Sequence, residues 1–239
     1  MTCPIRVIYP KHAPKQTGAT MIGMRYVTLA LAALALAAVP GGAAAQSAAQ
    51  HRFTVGGKAF TVPVPQGYCL PAGVTIALAE KVASLDTMNL THANLDRCGT
   101  FGEDYVHIKS PRTSQPVPMP RAVFLALIAR ELQTANGQKL VGEAIEEAGR
   151  DVAKGTNNEV QLDNAVPRFV GQDDLCVYMA LVSDVVGAQG AIKIRGVICM
   201  TVVSGEFMNV NAYAIEGRGT TEAQLKARVR AIALSIAGA

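Results

Sequence analysis

The chain has 239 residues, 50% hydrophobic and 17% charged, with no tryptophan and five cysteines. That composition excludes a disordered or collagen-like polymer and leaves ample material for a hydrophobic core. The formal charge of +4 resides in the first 45 residues, where Arg6, Lys11, Lys15 and Arg25 lie and no acidic residue does; the remainder is electrically balanced, without the electrostatic footprint of a nucleic-acid or anionic-membrane binder.

Tyr26 to Val39 is an apolar run without a charge, preceded by Met24-Arg25 and followed by Pro40-Gly41-Gly42 and Ala43-Ala44-Ala45. These are the basic, apolar and small-residue parts of a secretory signal, which makes Gln46 the expected first mature residue. A start at Met21 or Met24 would give the signal conventional proportions. As a helix the run reaches roughly 21 Å at about 1.5 Å per residue, short of the ~30 Å hydrocarbon layer, so it is expected to engage the membrane only during export. No cysteine follows it for acylation and no arginine pair precedes it. The general secretion route to a soluble periplasmic product is therefore expected, with a signal over 1–45, a short tail over 46–50 and a single domain over 51–239.

His51 to Val55 and Lys58 to Val64 flank Gly56-Gly57, the signature of a tight β-hairpin, with Pro63 and Pro65 ending its second strand. From Val74 to about Thr87, Leu78, Val82 and Leu85 recur at helical spacing and predict a buried stripe, and Tyr105 to Ile108 predicts a short strand. The four prolines between Ser110 and Pro120 mark a connector. A helix is predicted over Arg121–Thr134, with Phe124, Leu127, Ile128 and Leu132 on one side and its end near Asn136-Gly137. A second follows over Lys139–Lys154, with Val141, Ile145, Ala148 and Val152 inward. Glu159–Val170, Leu175–Val186, Ala191–Val203 and Phe207–Glu216 then read as four strands; in the last, Val210, Ala212 and Ala214 alternate with Asn209, Asn211 and Tyr213, giving one buried face. A helix from about Glu222 to Ile236 closes the chain, with Thr221 and Gln224 as a capping box and Leu225, Val229, Ile232 and Ile236 as its buried stripe.

Cys3 is lost with the signal, and Cys69, Cys98, Cys176 and Cys199 form an even set for two disulfides in an oxidising compartment. Folding the segment between the last two as an antiparallel hairpin with Cys176 opposite Cys199 sets Val177, Leu181 and Ser183 against Ile198, Ile194 and Ile192 on an apolar face. The other face, expected to be outer or partly covered, then pairs Tyr178 with Val197, Ala180 with Arg195 and Val182 with Lys193. By elimination Cys69 joins Cys98. There is no C-x-x-C and no histidine cluster beside a cysteine, so structural cystines are expected rather than thiol or zinc chemistry.

These elements describe an α+β fold, an antiparallel sheet covered by helices in an α/β sandwich, with an opening hairpin, a late four-strand meander and a C-terminal helix. The opening hairpin running into Phe60 to Tyr68 (FTVPVPQGY), followed by helix, strand, helix, meander and terminal helix, resembles the PsbP/Mog1/DcrB superfamily. Tyr68 stands where an aromatic, commonly Trp, often follows the Pro-x-Gly of those proteins. The resemblance implies a non-catalytic binding or assembly factor and transfers no catalytic residue.

His107, in Tyr105-Val106-His107, falls on the Tyr105 face of its strand and Asp104 on the other. His92 with Asp96, and His51, are further histidine candidates. G-x-S-x-G, S-x-x-K and H-E-x-x-H are absent from the sequence. Gly217-Arg218-Gly219 reads as a turn, Asp173-Asp174 lacks the spacing of a calcium loop, and Asn89-Leu90-Thr91 is a sequon without use in a bacterial periplasm. Tyr178, Lys193, Arg195 and His107, with the helix bearing Arg121 and Arg130, are the candidates for a ligand-facing groove. No catalytic residue, cofactor or metal is expected. The leading expectation is an exported binding or assembly module whose partner is an envelope protein or small ligand; the alternative is a hydrolase using a histidine and a carboxylate.

Overall fold

The computed structural model describes residues 49–113, 115–188 and 190–238; the expected signal and most of the tail after it lie outside the described residues. β1 (Gln50–Val55) and β2 (Lys58–Pro63) form the opening hairpin in the register Val55↔Lys58. Gly56 and Gly57 have φ of 57° and 81°, as a tight primed turn demands. Gly56 is also pressed against another hairpin: a Cβ there would lie 2.6 Å from Glu206 Oε2, on a fully buried side chain that pairs with Lys58 at 3.0 Å. Gly57 has open space around it. Gly57→Ala is therefore expected to destabilise by about 1–2 kcal/mol for its left-handed backbone and Gly56→Ala by about 3 kcal/mol, the clash being added to the same backbone cost. Urea unfolding of both variants checks this, and equal losses would assign the whole cost to the turn.

After β3 (Tyr68–Cys69) come α1 (Val74–Ser84), β4 (Asn89–Arg97), β5 (Asp104–Pro111), α2 (Arg121–Leu132), α3 (Ala135–Gly155), β6 (Val160–Gln172), β7 (Val177–Gly187), β8 (Gly190–Val203), β9 (Glu206–Ile215), α4 (Glu222–Ser235) and β10 (Ala237–Gly238). Seven strands pair antiparallel in the order β3-β4-β5-β9-β8-β7-β6, while β1, β2 and β10 make a small second sheet. The fold is thus α+β, with the expected meander β6 to β9 and terminal helix.

The α4 capping box is formed: Thr221 Oγ1 accepts from Gln224 N, and Gln224 Oε1 accepts from Thr221 N. Leu225, Val229, Ile232 and Ile236 are all buried. They join Phe60 and Val62 of the small sheet over one face of the large one, against Leu95, Val106, Tyr178, Val197 and Val210. On the opposite face α2 brings Leu125, Ala129 and Leu132 onto Val177 and Met179, and α3 packs on β6.

Several expectations are corrected. Cys176–Cys199 forms, as does Cys69–Cys98, but the hairpin extends to Gly187↔Gly190 and sets Tyr178, not Cys176, opposite Cys199. The register is displaced by two and the cystine is diagonal; because the pleat has period two, every side chain keeps its face. That face is not outer: Tyr178, Val197 and both cysteines are fully buried beneath α4 and the small sheet. In α1, Leu78 and Val82 are 47% and 44% exposed while Ala79 is buried, so the helix meets the sheet through small side chains rather than its leucine stripe. In α2, Leu125 is buried in place of Leu127. α3 begins at Ala135 rather than Lys139, because Thr134 Oγ1 accepts from Gly137 N as N-cap. The Tyr105–Ile108 strand extends over Asp104–Pro111. β4 escapes the alternation rule: Ala93 and Leu95 are buried, but their neighbours are polar and a bulge between Thr91 and Ala93 shifts the register.

Candidate functional site

The proposed groove residues do not form one surface. Tyr178 has no exposed area; its hydroxyl donates to Asp173 Oδ2 at 2.6 Å and Lys226 Nζ lies 4.4 Å above its ring. Asp173 also accepts from Leu175 N, Cys176 N and Arg230 Nε. Burial alone would raise the Asp173 carboxyl, but these donors outweigh it and hold the group at about 2. Asp174 pairs with Arg230 as well, so the Asp173-Asp174 pair serves as an anchor for α4. Lys193 and Arg195 lie on the Tyr178 face toward the far end of the hairpin, paired with Asp184 at 3.8 Å and Glu216 at 2.5 Å. α2, with Arg130, packs on the opposite face beside a shallow cleft of about 500 Å³ that includes Arg130, Gln133 and Phe169. Gly217 and Gly219 have φ of 83° and 86° and flank Arg218, whose N donates to Ile215 O in a turn.

His107 stands elsewhere, on the face of the sheet that α2 and α3 share. Those helices pack over β6 to β8 and α1 meets β4, and α3 joins the α1–β4 connection through Thr87 Oγ1, which donates to Asp151 Oδ2. Registers β4–β5–β9 place side chains there in three rows: Asp96, Tyr105 and Tyr213; Asn94, His107 and Asn211; Thr91, Lys109 and Asn209. In the first row the two tyrosine rings stack at 5.0 Å and 29°. The Tyr213 ring lies across Gly196, where an added Cβ would meet it at 2.7 Å; glycine is required because the ring occupies the space of a side chain. In the second row His107 is 5.0 Å from the Tyr105 ring and flanked by two amides. In the third, Lys109 pairs with Asp86 at 2.8 Å.

Five side-chain oxygens in these rows are buried without a hydrogen-bond partner: Thr91 Oγ1, Asn94 Oδ1, Asp96 Oδ2, Asn209 Oδ1 and Asn211 Oδ1. Buried acceptors left open in this way are uncommon in folded proteins, and five of them share this face. Asp96 and Asn211 are 7% and 6% exposed. Asp96 Oδ1 accepts from Gly102 N, yet burial dominates and raises its carboxyl. At Asp86 burial acts upward too, but Lys109 and the Asn89 donors prevail and lower it.

Burial, reinforced by the Lys109 charge and only partly opposed by Asp86, lowers His107 to about 3. The imidazole is neutral at physiological pH. A folded-state value below the ordinary 6.5 contributes stability that is whole above about pH 6.5 and is lost as pH falls toward 3, at a slope approaching 1.4 kcal/mol per pH unit. His92, lowered by its own burial and by His51, acts in the same direction. Melting curves between pH 7 and 5 should therefore show falling stability, and His107→Gln should flatten the slope; an unchanged slope would refute the assignment.

His92 and Asp96 are not brought together. His92 Nε2 lies 2.7 Å from Ser110 Oγ, its ring stacks on Phe53 at 5.4 Å, and His51 donates to its carbonyl oxygen. The serine–histidine contact has the length of an activated nucleophile, but Ser110 is 2% exposed and offers no approach to a substrate carbonyl. Among the described residues no group of three His, Cys, Asp or Glu side chains could hold a metal ion, and no helix is long and apolar enough to cross a membrane. The three rows were partly legible as Tyr-x-His-x-Lys in β5 and Asn-x-Asn-x-Tyr in β9; what joined them was the pairing of strands about a hundred residues apart in sequence.

No family model and no curated protein sequence matches the chain. Among solved structures it is similar to the solution structure of cyanobacterial PsbP (CyanoP) from Synechocystis, at 13% identity and a TM-score of 0.41, over 83% of this chain and 96% of that one.

Proposed function

We propose that this chain is an exported, soluble periplasmic module of the bacterial cell envelope that binds a small ligand or envelope partner without transforming it. The observation that carries the reading is the cluster of five unpartnered buried oxygens around His107 on the β4–β5–β9 face of the sheet. Two cystines support an oxidising compartment. A binding role is favoured over hydrolysis because Asp86 is paired with Lys109 and Asp96, the carboxylate of the rows, stands opposite Tyr105 rather than His107.

The test is the protein recovered from its natural host. Intact mass should show a periplasmic chain beginning at Gln46 and lacking four hydrogens; a cytosolic chain with titratable thiols would overturn the export reading. In a screen of ester, amide and glycoside substrates, turnover abolished by His92→Gln or His107→Gln would replace the binding role with an enzymatic one.

A further inference from the structure

We propose that the cleft between α2, the first turns of α3 and the end of β6 binds a free single-chain carboxylate, its alkyl chain lying along β6 and its carboxylate on Arg130. This site is separate from the β4–β5–β9 rows and goes beyond the reading above by naming an apolar acid as ligand.

Shape comes from the edge of the sheet. β6 is the last strand of the large sheet, and where α2 and α3 meet it two open hollows of about 500 Å³ and 520 Å³ remain. They share Gln133 and Phe169 and follow one another along β6, the first over Phe169–Gln172 and the second over Pro167–Phe169. Six strand residues span about 17 Å, which matches an extended chain of about ten to twelve carbons at about 1.25 Å each. The walls are apolar: Ala126 and Ala129 in the first hollow, Leu132, Val141 and Met179 in the second, and the half-buried Phe169 in both. Gln133 already donates its amide to Ala129 O at 2.8 Å, so hydrocarbon laid over it leaves that bond in place.

Charge sets the head of the ligand. None of the residues lining either hollow is acidic, and two are arginines. Arg168, in the second, is held by Glu222. Arg130, in the first, pairs with no carboxylate among the described residues, whereas Arg195, Arg228 and Arg230 each do. Its guanidinium is a planar fork that a carboxylate meets with two hydrogen bonds. A peptide is the poorer occupant. Pro167 and the register shifts between Asp163 and Val166 and between Phe169 and Gln172 interrupt β6, which denies an added strand a continuous ladder.

The oxidised protein, with both cystines, is titrated with octanoate, decanoate and dodecanoate below their micelle-forming concentrations. Decyltrimethylammonium and acetyl-trileucine with a free carboxylate are titrated separately, and the Met179 methyl and Phe169 ring resonances are followed throughout. Decanoate is expected to shift both resonances saturably. Each two-carbon extension should tighten binding about fourfold, half the full burial value because the cleft is open on one side. The ammonium should bind about tenfold more weakly than decanoate, and Arg130→Gln should weaken decanoate about tenfold. Ala126→Phe, which fills the first hollow, should abolish the saturable shift. Both variants replace exposed residues, and an unchanged melting temperature checks that each is folded. Leu234→Ala, on an exposed position of α4, should leave binding unchanged. Equal binding of the ammonium, tighter binding of the peptide, indifference to chain length or to Arg130→Gln, or no saturable shift by any carboxylate overturns the proposal. None of these outcomes touches the intact-mass result or the substrate screen, so failure of this ligand and failure of the reading above remain distinguishable.

Discussion

Replacing Cys176 and Cys199 together by alanine is expected to lower the unfolding free energy by about 3.5 kcal/mol, on the entropy of the loop the bridge closes in the denatured chain. The sequence separation is 23 residues for this bridge and 29 for Cys69–Cys98, so each bridge restrains the unfolded ensemble to a similar degree. The two differ in the folded state. Cys176 and Cys199 have no exposed area and belong to the main core between the sheet and α4, so their removal also empties packed volume. Cys69 and Cys98 are exposed, and their replacement removes the loop restraint alone. Guanidinium unfolding of each double variant should rank the 176–199 pair as the costlier. Because a domain's whole stability is on the order of 5–15 kcal/mol, loss of both bridges should leave little folded protein at 37 °C. A loss below about 1 kcal/mol for the 176–199 pair would mean that the cystines are accessory, and would favour a redox role for them.

The second large effect is expected at Asp104. Its Oδ1 accepts from the Tyr68 hydroxyl at 2.6 Å and from Arg228 Nη1 at 2.5 Å, and Arg228 also lies 5.2 Å from the Tyr68 ring. The Asp104 and Arg228 side chains are 12% and 18% exposed. The cluster ties the start of β5 to α4 and to the residue beside the first cystine. Burial and the Asp104 bond together raise the Tyr68 hydroxyl well above its ordinary value. Asp104→Ala strands a buried guanidinium and a buried hydroxyl, and should destabilise by about 3–5 kcal/mol; Asp104→Leu with Arg228→Leu should recover much of that, because a desolvated pair is replaced by apolar packing. A double-mutant cycle by urea unfolding measures the coupling, and additive losses would show that the contact is not a unit.

The aromatic of the Phe60–Tyr68 motif therefore has a structural role: it caps a charged cluster at the edge of the core. The histidine reading changes in a related way. His107 keeps the face that alternation assigns to it, and its neighbours there are amides and tyrosines.

Elements whose signals are local were legible. The Gly56-Gly57 hairpin, the four-strand meander and the capped α4 each depend on contacts within one turn or between chain neighbours, so their patterns lie contiguous in sequence. The leucine stripe of α1 misled because periodicity records which residues could share a face, not whether a partner reaches that face. β4 was hidden because one of its faces carries Thr91, Asn94 and Asp96, so polar residues stand where alternation reads a loop.

Taken alone, the sequence determined the α+β class, which cysteines pair, and which side chains share a strand face, since the pleat and the helical turn are properties of the backbone. The tertiary structure alone decided which of those faces is apolar core and which is a polar layer: Tyr178 passed from an expected outer face to the interior, and Asp96, Tyr105 and Tyr213 came into one row. The reason is that a face acquires its meaning from whatever packs on it, and α4, α2 and the small sheet arrive there from distant parts of the chain.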